Sequence, residues 1–484
     1  MRRRGPGPKH HSQAIVQSDH CHASTWDDTA QNCPQIDMTE ANRRQAPTRT
    51  PVVALQDVPA SLSVWPFKLN VAEYSLLSQY VNRFARTYPT LSGPDNPFLE
   101  ILIPLATQNS AVLSALLALS GVQSFGAHSS STRRIVLKLR HKALRNCRDL
   151  VGPLSNARHG PFVHSVSDAI GADAENVDKS QLLFVLASCG LLLLYEKLSE
   201  EGIDSCTPHL QLFSRMLSDY ILPAIDDIVS DDCRSPWHRA LQFLRSLFLY
   251  NDIVRATSFG VPVLSKGYLD AVAASTGQQS IVADAKGGRF EFPHIIARLS
   301  HGDLSVTDAD IEMWSGRLDW LPSYALVSEH GMEWPAQLSY RYDRVNIDAY
   351  RRLELRYDLR RWCDRSIICE VYRIAAMIYK RQCFRRSSTS ASPMGNLPSW
   401  VAQLINILPA DSVYSNMLLW PIGIIAQELD LCHATERYCI MVKLQALQTG
   451  FGMGHFGRIH DHLIRQWSLK DQGIRQLPRI VLFG

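Results

Sequence analysis

Several kinds of segment are missing from this chain of 484 residues. No apolar run reaches the roughly 20 residues that a membrane-spanning helix needs. The longest, Leu182 to Tyr195, reads as a buried core helix. No cysteines have C-x-x-C spacing and no N-x-S/T acceptor occurs, so the eleven scattered cysteines point to free thiols in a reducing compartment. Neither sign of charge dominates: a formal charge of +4 and a pI near 8.4 are too mild for a protein that binds nucleic acid over its whole surface. The basic start, MRRRGPGPKHH, has no apolar run after it and is not a secretory signal. Arg2 to Arg4 with Lys9 read as a nuclear-import element or a solvated terminus. Finally, no nucleophile, base and orienting residue can be grouped by spacing, so no catalytic residue is assigned and the chain reads as a non-enzyme.

What is present is helical periodicity. Residues 1–63 are polar and lack a sustained period, which predicts a disordered N-terminal segment. His20, Cys21, His22 and Cys33 lie there without the paired spacing of zinc modules, so no metal ligand is assigned. Residues 64–484 read as one large all-α domain of packed helical hairpins. It opens with an apolar stripe over Val64 to Tyr88, carried by Val71, Tyr74, Leu77, Tyr80, Val81 and Phe84. Asn96 to Phe125 predicts a hairpin started by Pro97, capped at Asn109 and Ser110, and ended or bent at Gly121. Leu113, Leu116 and Leu117 in it have L-x-x-L-L spacing, with buried packing the plainer reading. Gly121, Ser124 and Gly126 miss the spacing of a nucleophile elbow.

Arg133 to Arg148 carries seven Lys/Arg and no acid, with Ile135, Leu137, Leu139, Ala143, Leu144 and Cys147 as its core side. Such a face meets phosphate, acidic protein or water, and water is the simplest. The stretch to about Val177 predicts a surface loop. Lys179 to Tyr195 and Gln211 to Ile221 form a second hairpin connected by Ser199 to Pro208, and Trp237 to Ser258 is a long amphipathic helix stopped by Phe259 to Pro262.

From Gly277 to Val345 the pattern weakens into insertions rich in aromatics such as Trp314, Trp320 and Trp334, which read as core packing ahead of a ligand pocket. Arg341 to Arg386 predicts a helix with a basic face, and Ser387 to Gly395 a mobile loop. Asn416 to Val442 is apolar around most of its circumference and reads as the buried centre, with Pro421 near its first turn. Gly452, Gly454 and Gly457 spell G-x-G-x-x-G, but a helical segment precedes them, so they read as an interhelical turn. His455, His460 and His462, with Cys432 and Cys439, lack metal-site spacing.

Several of these segments occur in an order that has a family counterpart. NPFLEILIPLATQNSAVLSALLALSGVQ is followed by a leucine-rich hairpin and then by LFLYNDIVRATSFGVPVLS, in which Tyr250, Asp252, Ser258, Gly260 and Pro262 mark a helix and its exit. EVYRIAAMIYKRQCF, LLWPIGIIAQE with Glu428 and Arg437, and HDHLIRQWSLKD follow. In order and spacing these resemble the fungal-specific transcription factor regulatory domain, over roughly residues 65 to 472.

The resemblance implies an all-helical regulatory domain working in the nucleus on RNA polymerase II target genes, of a metabolic or secondary-metabolite pathway. It implies transcription machinery or a related regulator as partner, no membrane, and leaves a homodimer open. Such domains usually follow a zinc binuclear cluster of six cysteines. Here only Cys21 and Cys33 precede residue 100, so zinc and DNA-binding residues are not assigned. Two readings remain open. Either a cluster lies upstream of Met1, or the chain is a DNA-independent interaction protein that sequesters or scaffolds a related factor.

Overall fold

The structure is a computed structural model. It describes residues 66–88, 96–122, 130–159, 172–199, 206–221, 235–276, 291–314, 357–387 and 397–474, apart from 411, 413, 452 and 453. The chain divides into two units, Met1–Leu62 and Ser63–Gly484, of which the first lies outside the described residues. Among the described residues 86% are helical and none forms a strand, so the all-α expectation holds.

The first layer is built from helices α1 (Val71–Gln79), α2 (Pro97–Glu100), α3 (Leu102–Gln108) and α4 (Ser110–Val122). Asn70 caps α1 through a reciprocal pair of hydrogen bonds with Glu73, and a π-helical turn at Tyr80–Phe84 carries the chain on. Asn109 accepts from the backbone N–H of Ala111, which starts α4 as its sequence predicts. Residues 111 to 122 of α4 are all buried, including Leu113, Leu116 and Leu117, so the L-x-x-L-L spacing serves packing.

Around α4 lie α1, α5 (Ser130–His159) and α6 (Ala172–Leu198). The approach of α5 is close enough to need a glycine. A Cβ on Gly121 would stand 2.2 Å from Val136 Cγ2. The buried side of α5 is formed by Val136, Leu139, Ala143 and Cys147, whereas Ile135, Leu137 and Leu144 are only half-buried. Both helices are longer than their periodicity predicts: α5 runs on to His159 and α6 starts at Ala172, both inside the stretch expected to be a loop, of which residues 160–171 lie outside the described residues. Gly and Ser inside a helix each cost about 1 kcal/mol or less, and a helix already docked on its neighbours tolerates that.

Helix α7 (Cys206–Met216) packs on α6 and starts before the expected end of the connection, with Pro208 in its first turn, where its lack of an N–H costs little. The spine is α8 (Pro236–Phe259), started by a Ser235 cap and ended by Gly260 in the left-handed region at φ 61°. Its amphipathic expectation needs correction. Every residue from Ser246 to Ser258 is buried, because α6 and α7 cover one side while α10 and α14 cover the other.

The second half begins with α9 (Lys266–Thr276), α10 (Glu291–Ser300) and α11 (Asp308–Trp314). Part of the expected insertion is therefore core: Phe292, Ile295, Ile296 and Leu299 of α10 are buried, while Trp320 and Trp334 lie outside the described residues. Then follow α12 (Tyr357–Ser387), α13 (Leu397–Ile407), α14 (Leu419–Ala426), α15 (Ala434–Phe451) and α16 (Gly454–Asp471). The expected buried centre is accurate for α14, all of which is inside, with Pro421 in its first turn. It fails beyond Leu429. The helix breaks after Ala426, and Leu431, Tyr438 and Val442 are exposed.

Candidate functional site

Three sites are strung along α8. At its exit, Asp252 is completely buried, yet all its needs are met. Its carboxylate accepts from the Arg255 guanidinium at 3.1 Å and from the backbone N–H groups of Leu264 and Ser265 at 3.1 and 2.8 Å. Arg255 in turn donates to the Pro262 carbonyl at 2.8 Å. Gly260 reverses the chain, Pro262 stiffens it, and Asp252 fastens the returning strand of backbone. One turn on, Thr257 Oγ1 accepts from the indole N–H of Trp420 at 3.0 Å, which ties α8 to the buried α14. Trp420 stacks near Tyr372 of α12, whose hydroxyl donates to the Met417 carbonyl at 3.0 Å.

Beside Asp252 on the same helix, Asn251 faces the end of α6. There Lys197, 2% exposed, donates to Asn251 Oδ1 and to the Tyr88 hydroxyl, each at 3.2 Å, with the Tyr88 and Tyr250 rings beside it. The neighbouring carboxylate gives no ion pair, since Glu196 turns to Arg140 of α5 at 2.6 Å. Burial therefore pulls the Lys197 ammonium down to about 7, with the Cys206 thiol opposing it slightly. The same burial pushes Cys206 up to about 12. His455 of α16, also buried, is held well below its ordinary value by burial, then by Lys197 and Arg458. Arg458 donates to the Lys197 carbonyl at 2.9 Å, so α16 closes over this cluster.

At the start of α8 a groove of about 250 Å³ opens between α2, α3, α6 and α8. Ile101, Leu105, Leu183, Phe184 and Trp237 make it largely apolar, and Glu100 pairs with Arg239 at its edge. The second Glu100 oxygen, Oε2, is buried and has no partner. An apolar slot edged by one charged pair suits a small amphipathic molecule.

The other candidates do not converge. His455 is buried, His460 is bound to Asp461 at 3.0 Å, and Cys432 contacts His433 on an exposed turn. Among the described residues no three His, Cys, Asp or Glu side chains group to hold a metal ion. His20, Cys21, His22, Cys33, Ser124, Gly126 and Gly452 lie outside the described residues. Gly454 opens α16 and Gly457 lies within it against Gln448, so these two are helical. The basic face of α12 is partly neutralised: Lys380 pairs with Asp308 at 2.8 Å and Arg373 with Glu370 at 2.6 Å. On α5, Arg133, Arg134, Lys138, Lys142, Arg145 and Arg148 are exposed.

The motif residues of the second half do meet. Gln382 donates to Glu428 at 2.9 Å and to the Ile424 carbonyl, while Arg437 grips Asp471 at 2.7 Å and the Leu429 carbonyl. Trp467 donates to the Ala426 carbonyl at 2.9 Å. These bonds close α12, α15 and α16 around the break that follows α14. The family model described as fungal specific transcription factor domain matches residues 75–312 and 342–477, which takes in this whole frame. The chain belongs to the fungal specific transcription factor domain family. It is thereby a transcriptional regulator of the fungal type. No curated protein and no solved structure shows significant similarity to it.

Within this fungal transcription factor domain, Lys197, Asn251, Glu100 and Arg239 were not singled out by sequence. A lysine ending the run LLLLYEK reads as a side chain reaching for solvent. Glu100 and Arg239 are 139 positions apart and reveal nothing until α2 and α8 meet.

Proposed function

We propose that this domain is the effector-receiving half of a nuclear regulator of RNA polymerase II target genes, in a metabolic or secondary-metabolite pathway. The observation that carries this reading is the groove at the start of α8 within a domain of this family. A flat apolar effector would lie on Phe184 and Trp237, beside the Glu100–Arg239 pair. A helix of 24 residues spans about 36 Å, so a shift at Arg239 reaches Thr257 and Trp420 through one rigid element. The signal then passes to transcription machinery or a related regulator. An effector acts only through its different affinity for two packings of the domain.

The test is a thermal-shift screen of small apolar metabolites on the full chain, together with transcript profiling of a deletion strain and imaging of a tagged copy. A hit that stabilises the wild type and fails with Arg239→Ala, alongside a co-ordinated transcript change and nuclear signal, supports the reading. No stabilising compound and an unchanged transcript profile would sink it.

The exposed basic stripe of α5 favours a second reading, a DNA-independent interaction protein that sequesters or scaffolds a related factor through acidic surface. If the purified chain selects a promoter fragment over random DNA and keeps that preference as salt is raised, this second reading fails.

A further inference from the structure

Cys147 of α5 and Cys189 of α6 face each other across the packed interface of the two helices, with their sulfurs 3.8 Å apart. A disulfide bond is about 2.05 Å long, so the sulfurs need to approach by roughly 2 Å, within the reach of side-chain rotation on two helices that already touch. Both thiols are buried, but unequally. Cys189 is 1% exposed and Cys147 5%, and Cys147 is flanked by the exposed Arg148 and Asp149. A small oxidant therefore meets Cys147 first.

We propose that Cys147 and Cys189 form a reversible disulfide when the protein meets a peroxide. The chemistry divides between them. The hydrogen bond from Cys189 favours the Cys147 thiolate, and holds that thiol below its usual range, while Cys189 keeps its proton. The Cys147 thiolate attacks one peroxide oxygen. The S–O bond forms, the O–O bond breaks, and hydroxide leaves to be protonated as water. Cys189, losing its proton to solvent, then attacks the Cys147 sulfenic sulfur. The S–S bond forms, the S–O bond breaks, and a second water is released. Two thiols and one hydrogen peroxide thus give one disulfide and two waters. The link fastens the basic helix α5 to α6 and closes a loop whose ends are 42 positions apart, which restricts the unfolded chain.

The test uses the reduced full chain, graded hydrogen peroxide, alkylation in denaturant and mass spectrometry of an unreduced digest. The expected result is a linked peptide pair joining Cys147 to Cys189, with both of these thiols lost to alkylation. The pair disappears with dithiothreitol and in Cys147→Ser, and persists in Cys432→Ser. Oxidation raises the melting temperature of the wild type by a few degrees, and reduction restores it. Cys432 is exposed and serves as the internal control. If peroxide sufficient to oxidise Cys432 leaves Cys147 and Cys189 both open to alkylation, or oxidises Cys147 without linking it, the proposal is wrong. Because the decisive reading is made on the wild type, a variant that fails to fold does not blur it.

Discussion

Asn251 and Asp252 are neighbours on α8, yet they serve two buried sites of opposite character. Asp252 has a cation, two backbone N–H groups and a chain reversal gathered around it, and its charge is fully answered. Asn251 instead meets Lys197, a cation held by neutral oxygens and ring faces while the adjacent Glu196 pairs elsewhere. A buried ion stabilises a fold when its partners are complete, and it costs stability when they are not. The first site therefore locks the exit of α8. The second is a place where protonation sets the stability of the junction between α6, α8 and α16.

The comparison breaks most easily at Asp252. Asp252→Ala strands the Arg255 guanidinium and two N–H groups inside the protein, and should cost about 3–5 kcal/mol in urea unfolding. A loss under about 1 kcal/mol would mean that the exit of α8 is held by packing alone. Thr257→Val is the next test. It removes the acceptor of the Trp420 indole in a fully buried setting and should cost about 1–3 kcal/mol.

Lys197→Met should act in the opposite direction at neutral and lower pH, leaving stability unchanged or raising it by about 1–3 kcal/mol. The pH dependence gives the sign. In the unfolded chain Lys197 titrates near its ordinary value of 10.5, and in the folded protein near 7. Between these values the unfolded state binds more protons, so stability rises with pH through the window. Below about 7 both states are charged and the full cost of the buried ammonium remains. His209, pulled down to about 4 by burial and then by Arg140, and His455 add the same sign below their ordinary value of 6.5. Melting curves from pH 7 to 8.5 lie above the histidines, and there the raised Cys206 thiol works weakly in the opposite sense, since the unfolded chain loses that proton first. The wild type should climb across that range and Lys197→Met should stay flat or fall slightly; parallel curves would remove Lys197 from the account.

These two sites also differ in how far sequence could reveal them. The exit of α8 was legible because glycine and proline at fixed offsets have few backbone uses, and the Trp-Pro turn into α14 was legible because eight consecutive buried residues leave no polar face. Helix α5 was underestimated because Gly152, Pro153 and Ser155 lower propensity without preventing a docked helix. Leu431 was misplaced because continuous apolarity says nothing of where a helix breaks. The Lys197 site and the groove at Glu100 and Arg239 depend on which helices meet. A single lysine, asparagine or tyrosine carries no mark of the partner that tertiary packing will supply.

The smallest expected effect sharpens the comparison most. Tyr88→Phe keeps the ring beside Lys197 and removes the hydroxyl oxygen that accepts from it at 3.2 Å. The charged ammonium loses one of two acceptors, whereas the neutral amine loses less. Its folded value should therefore move further down, and the rise of stability should begin at a lower pH than in the wild type. At pH 6.5 the variant should lose about 0.5–1.5 kcal/mol, with the deficit shrinking by pH 8.5. In the Lys197→Met background that pH-dependent part should vanish, because no cation is left to miss the oxygen. If Tyr88→Phe costs the same at both pH values and in both backgrounds, the hydroxyl serves packing around Phe84 and Phe98 rather than the lysine, and Lys197 is held by Asn251 and the rings alone.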